Sequence, residues 1–182
     1  TVPLACDDPR RVRSACLVFD DTGRRVARYD KIHLFAFERG AERYDEAETI
    51  EPGAMPLAMD SPFGRLGLSI CYDVRFPELY RQERDVAAWF VPSAFTATTG
   101  AAHWETLLRA RAVENQCYVV APAQGGLHPN GRRTHGHTMI VDPWGDIVAE
   151  QAEGEGVVFA DLDPARLAEV RKSLPALQHR RL

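Results

Sequence analysis

Three dense apolar runs dominate the middle of the chain: GRLGLSICYD (64–73), AAWFVPSAF (87–95) and CYVVAPAQ (117–124). They alternate too little for strands with one wet face and read as buried strands, the second broken by Pro92. Between the last two lies AHWETLLRARAVENQ (102–116). Its apolar positions Trp104, Leu107, Leu108 and Ala112 share one face at helical spacing. PELYRQERD (77–85) reads as a short helix with Pro77 in its first turn. Upstream, SACLVFDDTGRRVARYDKIHLF (14–35) reads as two strands joined at Asp20–Gly23, where glycine supplies a positive φ. The polar, acidic stretch from Ala36 to Pro62 reads as a long loop with at most one helical turn, a length usually functional or mobile. Downstream, residues 134–151 read as a hairpin around Asp142–Gly145. GVVFADLD (156–163) reads as a further strand. PARLAEVRKSL (164–174) reads as a helix capped by Asp163. This order predicts an α/β layered protein, with one mixed sheet or two sheets packed face to face and helices outside.

Composition narrows the function classes. The chain has 182 residues, 45% apolar and 26% charged, with a net charge of −4. That suits one domain with a sizeable core. No long basic block is present, so nucleic acid is not an implied partner. The longest continuous apolar run, VAAWFV (86–91), is far too short to span a bilayer, so no membrane partner is implied either. Cys6, Cys16, Cys71 and Cys117 form no CxxC pair, and His103, His135 and His137 match no metal spacing. Free thiols, a cytoplasmic setting and no metal are therefore expected.

Candidate chemistry gathers at strand ends. Lys31, Glu46 and Cys71 each fall at or beyond a predicted strand end or in the long loop, and ligand sites of α/β sheets gather at the carboxyl ends of strands. A thiol needs a nearby cation to become a thiolate. The same cation can hold the oxyanion formed on attack at a carbonyl, and a carboxylate can serve as base or fix the cation. By residue type alone, however, Cys71 reads as packed core, Lys31 as solvated and Glu46 as surface.

YDKIHLF, GRLGLSICYDVRFPELYR, PSAF…TGAAHWETLLRARAVENQCYVV and GHTMIVDPWGDIVAE, in that order, change this balance. Together with the closing LPALQHRRL, they resemble the nitrilase superfamily of carbon–nitrogen hydrolases. The resemblance is nearest the superfamily's Nit branch, to the amidases of deaminated glutathione, with the ω-amidases next. It implies an αββα sandwich over residues 1–182 as one domain, and a small amide as substrate. It implies no cofactor, and a homodimer or higher assembly. Cys71 would be the nucleophile. Lys31, with the backbone N–H of Tyr72, would hold the oxyanion. Glu46 in YDEAETI would be a supporting carboxylate, with Glu38 and Glu48 as rivals. From their position just past a predicted strand end, and not from the resemblance, Phe95 and Thr96 read as pocket lining.

One departure stands out. The family's general-base Glu precedes the Lys motif, yet the first 30 residues contain no Glu. The resemblance thus implies a domain lacking its first strands and helices. Two other function readings follow: a binding or assembly module on the same scaffold, and a Cys–His hydrolase using His33. Arg75 reads as an ion-pair partner of Asp73 or Glu78, with a substrate carboxylate as the alternative. Cys117 reads as core.

Overall fold

The apolar runs form the centre of a six-stranded mixed sheet. The structure, a computed structural model, describes residues 1–40 and 42–181. Its elements in chain order begin with β1 (Val2–Ala5), β2 (Val12–Phe19), β3 (Arg25–Asp30), β4 (Ala36–Arg39) and β5 (Glu42–Asp45). Then come β6 (Leu57–Ser61), β7 (Gly64–Leu68), α1 (Pro77–Gln82), β8 (Val86–Phe90) and α2 (Ala97–Asn115). The last are β9 (Tyr118–Ala121), β10 (Gly125–Leu127), β11 (Arg133–His135), β12 (Thr138–Val141), β13 (Ile147–Gln151) and α3 (Pro164–Ser173).

The large sheet runs β13-β12-β9-β8-β7-β6. Its middle strands β7, β8 and β9 are parallel, and antiparallel strands close both edges. The strands β1-β2-β3 make a second, antiparallel sheet. One buried cluster joins Tyr29 of this sheet with Leu68 and Trp89 of the large sheet and with Trp104, Leu108 and Ala112 of α2. That is the expected α/β layering of sheets and helices around one core.

Several expectations hold locally. Gly23 has φ +80° between β2 and β3. The Asp163 side chain accepts the Ala165 N–H at 2.8 Å and caps α3. α2 begins five residues earlier than its apolar periodicity suggests, because Thr96 caps it through the Thr99 N–H. Apolar periodicity cannot register the polar and small residues of that first turn.

Other expectations fail. The 36–62 segment carries the hairpin β4–β5, a single helical turn at Glu46–Glu48 and the edge strand β6. The hairpin strands are short and largely exposed and β6 is only half-buried, so they lack the apolar signature of buried strands. The β10–β11 hairpin was hidden for the same reason. Residues 156–163 form no strand: no neighbouring strand pairs with them among the described residues, and Val157 and Phe159 are exposed. Leu182, the last residue of LPALQHRRL, lies outside the described residues. No helix among the described residues is long and apolar enough to cross a membrane.

Gly67 of β7 faces the ring of Trp89, which is fully buried. A methyl group added there would fall 2.5 Å from the indole. Gly67→Ala is therefore expected to destabilise the fold by about 1–3 kcal/mol through overpacking, measured by urea denaturation. An unchanged midpoint would mean that the β7–β8 packing is looser than described.

Candidate active site

A cavity of about 540 Å³ opens where the three parallel strands end. Ile70, Cys71 and Tyr72 follow β7, the segment 92–96 follows β8, and the segment 122–124 follows β9. The parallel ladder continues past the strand ends: Cys71 N–H donates to Pro92 O at 3.0 Å and Ser93 N–H to Pro122 O at 2.9 Å. Lys31 enters just beyond β3 and Glu46 just beyond β5. All six residues singled out from the sequence, Lys31, Glu46, Cys71, Tyr72, Phe95 and Thr96, line this one cavity.

Cys71 opens a helical turn, Cys71–Arg75, with a left-handed backbone at φ +52°. A non-glycine residue holds that conformation only where its surroundings enforce it. Here the enforcing contacts are the Pro92 carbonyl before the turn and Asp73 within it. The Tyr72 N–H makes no hydrogen bond among the described residues, as expected for the first turn of a helix. Burial pushes the Cys71 thiol above its ordinary value. Lys31 pulls it back down, as does the Ala94 backbone facing it. Glu46 pushes it up, and Arg132 pulls it down more weakly.

Lys31 is only 2% exposed. A buried cation requires a partner. That partner is Glu46, whose Oε2 accepts from Lys31 Nζ and also from the Phe35 N–H at 2.8 Å. The Glu46 N–H in turn donates to Phe35 O at 2.9 Å. Glu46 is thus locked to Phe35 and to the lysine. Its rivals are elsewhere: Glu38 is exposed on β4, and Glu48 is exposed and reaches only Arg43, at 3.9 Å.

The buried Asp73 ties these parts together. Its carboxylate accepts from Tyr29 Oη at 2.8 Å, the His33 N–H at 2.9 Å and the Ile70 N–H at 2.9 Å. It also meets His33 Nδ1 at 2.8 Å. Tyr29 and His33 lie two residues on either side of Lys31, and Ile70 immediately precedes Cys71. One side chain therefore straps the lysine segment to the cysteine turn. Burial, reinforced by Asp73, keeps the Tyr29 phenol protonated, its pKa far above the ordinary tyrosine value.

Some expectations need correction. Arg75 pairs with neither Asp73 nor Glu78. Its guanidinium lies over the rings of Phe95 and Tyr72, at 5.3 and 5.6 Å, and meets His103 at 3.2 Å. Asp73 is already filled by other donors. His33 is held by Asp73 and stacked on Phe76, ring centroids 3.7 Å apart, and no histidine lines the cavity among the described residues. The Cys–His reading therefore has no partner for the thiol. Phe95 and Thr96 touch the cavity but are also structural: Phe95 packs on Trp104, and the Thr96 hydroxyl caps α2. Cys117 is fully buried, as expected.

Sequence reasoning missed the Asp73 strap and Arg132, another residue lining the cavity. An acid two residues after the cysteine was legible as a charge, but Tyr29 and His33, which donate to it, lie 44 and 40 residues earlier in the chain. Arg132 sits at a hairpin tip with no sequence pattern to mark it.

Residues 3–172 match the family model described as carbon-nitrogen hydrolase. The chain belongs to the carbon-nitrogen hydrolase family. It is 49% identical to the deaminated glutathione amidase of Synechocystis, over 98% of this chain and 67% of that protein. The crystal structure of the Caenorhabditis elegans NitFhit protein superposes with a TM-score of 0.91 at 47% identity, over 98% of this chain and 44% of that one. A point mutant of an amidase from Nesterenkonia, 27% identical with a TM-score of 0.74, is described with acrylamide added at its active-site cysteine; 93% of this chain and 65% of that one are covered. The chain thus spans about two thirds or less of the length of these relatives.

Two expected outcomes test the geometry. Because Lys31 lowers the thiol pKa, Lys31→Met moves the pH profile of Cys71 alkylation by iodoacetamide upward by about one unit or more. At neutral pH alkylation then slows about tenfold; an unmoved profile places the ammonium away from the thiol. Asp73→Ala strands several buried donors and costs at least about 3 kcal/mol. In the fraction that remains folded, selective alkylation of Cys71 is lost; selectivity equal to the parent's would mean that Asp73 does not hold the turn.

Proposed function

We propose that this site hydrolyses the carbon–nitrogen bond of a small amide through a thioester on Cys71. The observation that carries the reading is the buried Lys31–Glu46 pair in the same cavity as a cysteine held in a left-handed turn. Burying a lysine is costly, and an oxyanion beside it is a use that solvent-exposed lysines serve poorly. Lys31 spends one of its three N–H donors on Glu46, which leaves two for a reacting oxygen.

In this reading the Cys71 thiolate attacks the amide carbon, and the carbonyl π electrons move to oxygen. Lys31 Nζ and the Tyr72 N–H stabilise that oxyanion. Its collapse breaks the C–N bond, and the leaving nitrogen takes the proton first removed from the thiol. Water then attacks the thioester, releasing the acid and restoring the thiolate. The proton carrier needs an uncommitted carboxylate. Among the described residues the cavity lining offers Glu46, which is engaged by Lys31 and Phe35, so Glu46 serves as the supporting carboxylate. The proton carrier in this reading is therefore a carboxylate other than Glu46.

The substrate we propose is a short ω-amide of a dicarboxylic or keto acid, with deaminated glutathione as the lead, on the strength of the amidases so named. We further propose that the chain acts as one domain in a cytoplasmic homodimer or higher assembly. The alternative of a binding or assembly module gains no support from relatives named as amidases.

Ammonia release from a panel of ω-amides tests the reading in the full-length protein. Cys71→Ala is expected to abolish release. Lys31→Met is expected to lower kcat by about 10²-fold or more, the typical cost of an oxyanion donor. Turnover that survives Cys71→Ala would contradict the proposal.

A further inference from the structure

The charges of the cavity do not balance. Lys31 is matched by Glu46, but a second cation, Arg132, lines the same space without a carboxylate. No salt bridge involves Arg132 among the described residues. Its Nη2 donates to Ala94 O at 2.8 Å, and its guanidinium lies 5.0 Å from the Tyr44 ring centroid. Its Nε is buried and makes no hydrogen bond, and Nη1 has no hydrogen-bond partner among the described residues. Leaving a buried guanidinium donor unpaired is costly unless a ligand completes it.

The position relative to the nucleophile is fixed by one residue. The Ala94 backbone faces the Cys71 thiol, and the Ala94 carbonyl holds Arg132. The span from sulfur to guanidinium is therefore no more than about 10 Å, from peptide dimensions and hydrogen-bond lengths. A short chain with an amide at one end and an anion at the other fits that span. The planar guanidinium fork matches a carboxylate in two-point contact. Arg75 is the less suitable anchor, since it does not line the cavity and is engaged by Phe95, Tyr72 and His103.

We propose that Arg132 is the anchor for a substrate carboxylate, selecting monoamides of short dicarboxylic acids over uncharged amides. The inference rests on the amide-hydrolase reading and supplies its specificity. Tyr44 and Ala94 hold the guanidinium in place, so the anchor is set before substrate enters.

The test compares kcat/KM for glutaramate with that for the uncharged valeramide, in the full-length protein and its Arg132→Gln and Arg132→Lys variants. Expected is a fall of about 10- to 100-fold in the glutaramate-to-valeramide ratio for Arg132→Gln, carried mainly by KM, as for loss of a charged hydrogen bond. Arg132→Lys, which keeps the charge and guards against a folding defect, restores part of it. A ratio unchanged in both variants, with both substrates losing equally, would make Arg132 structural and overturn the anchor. Glutarate binding to the Cys71→Ser protein by calorimetry separates this inference from the hydrolase reading. If no amide is turned over, the hydrolase reading fails alone, and at least tenfold weaker glutarate binding in Arg132→Gln still supports the anchor. Glutarate binding equal with and without Arg132→Gln, or no binding at millimolar glutarate, overturns it.

Discussion

A carboxylate with no exposure to water must find its hydrogen bonds within the protein. Asp73 finds them on two segments: Tyr29 and His33, on either side of Lys31, and Ile70, just beyond β7. Satisfying that one side chain fixes the gap between the smaller sheet and the cysteine turn. Lys31 and Cys71 are carried on the two sides of that gap, so their separation follows from the need to solvate Asp73 internally. The His33 ring, stacked on Phe76, closes the same joint from the outer side.

The site divides its labour by element type. Parallel strands end in the backbone turns that present the thiol and the free Tyr72 N–H. The short hairpin and the turn after it bring Glu46, and a second hairpin brings Arg132. Tyr44 of the first hairpin lies under the Arg132 guanidinium of the second, so the two charged hairpins are coupled over the cavity. In the proposed reaction, backbone turns of the buried sheet supply rigidity where bond making needs it. The hairpins supply charge where binding needs it.

What the sequence revealed followed burial. The apolar runs at 64–73, 87–95 and 117–124 identified β7, β8 and β9, hence the carboxyl edge on which Cys71 lies. Lys31, Glu46 and Cys71 were reachable through residue type and motif order. The exposed hairpins β4–β5 and β10–β11 were not, because half-exposed strands of three or four residues leave no periodic signal. Residues 156–163 show the reverse failure: a short apolar run was present, but a strand requires a neighbour, and the run does not specify one. Arg75 was misassigned because nearness in sequence to Asp73 and Glu78 stood in for nearness in space. Arg132 was invisible because its meaning comes from Ala94 and Tyr44, 38 and 88 residues away in the chain.

Trapping the covalent intermediate tests the cysteine mechanism most directly. The full-length protein is mixed with a short ω-amide, quenched in acid within milliseconds to seconds, and its intact mass and peptides are read. The expected result is a mass gain equal to the acyl group, mapped to Cys71 and removed by hydroxylamine. Product release with no adduct at Cys71, or with an adduct on Cys6, Cys16 or Cys117, would contradict it.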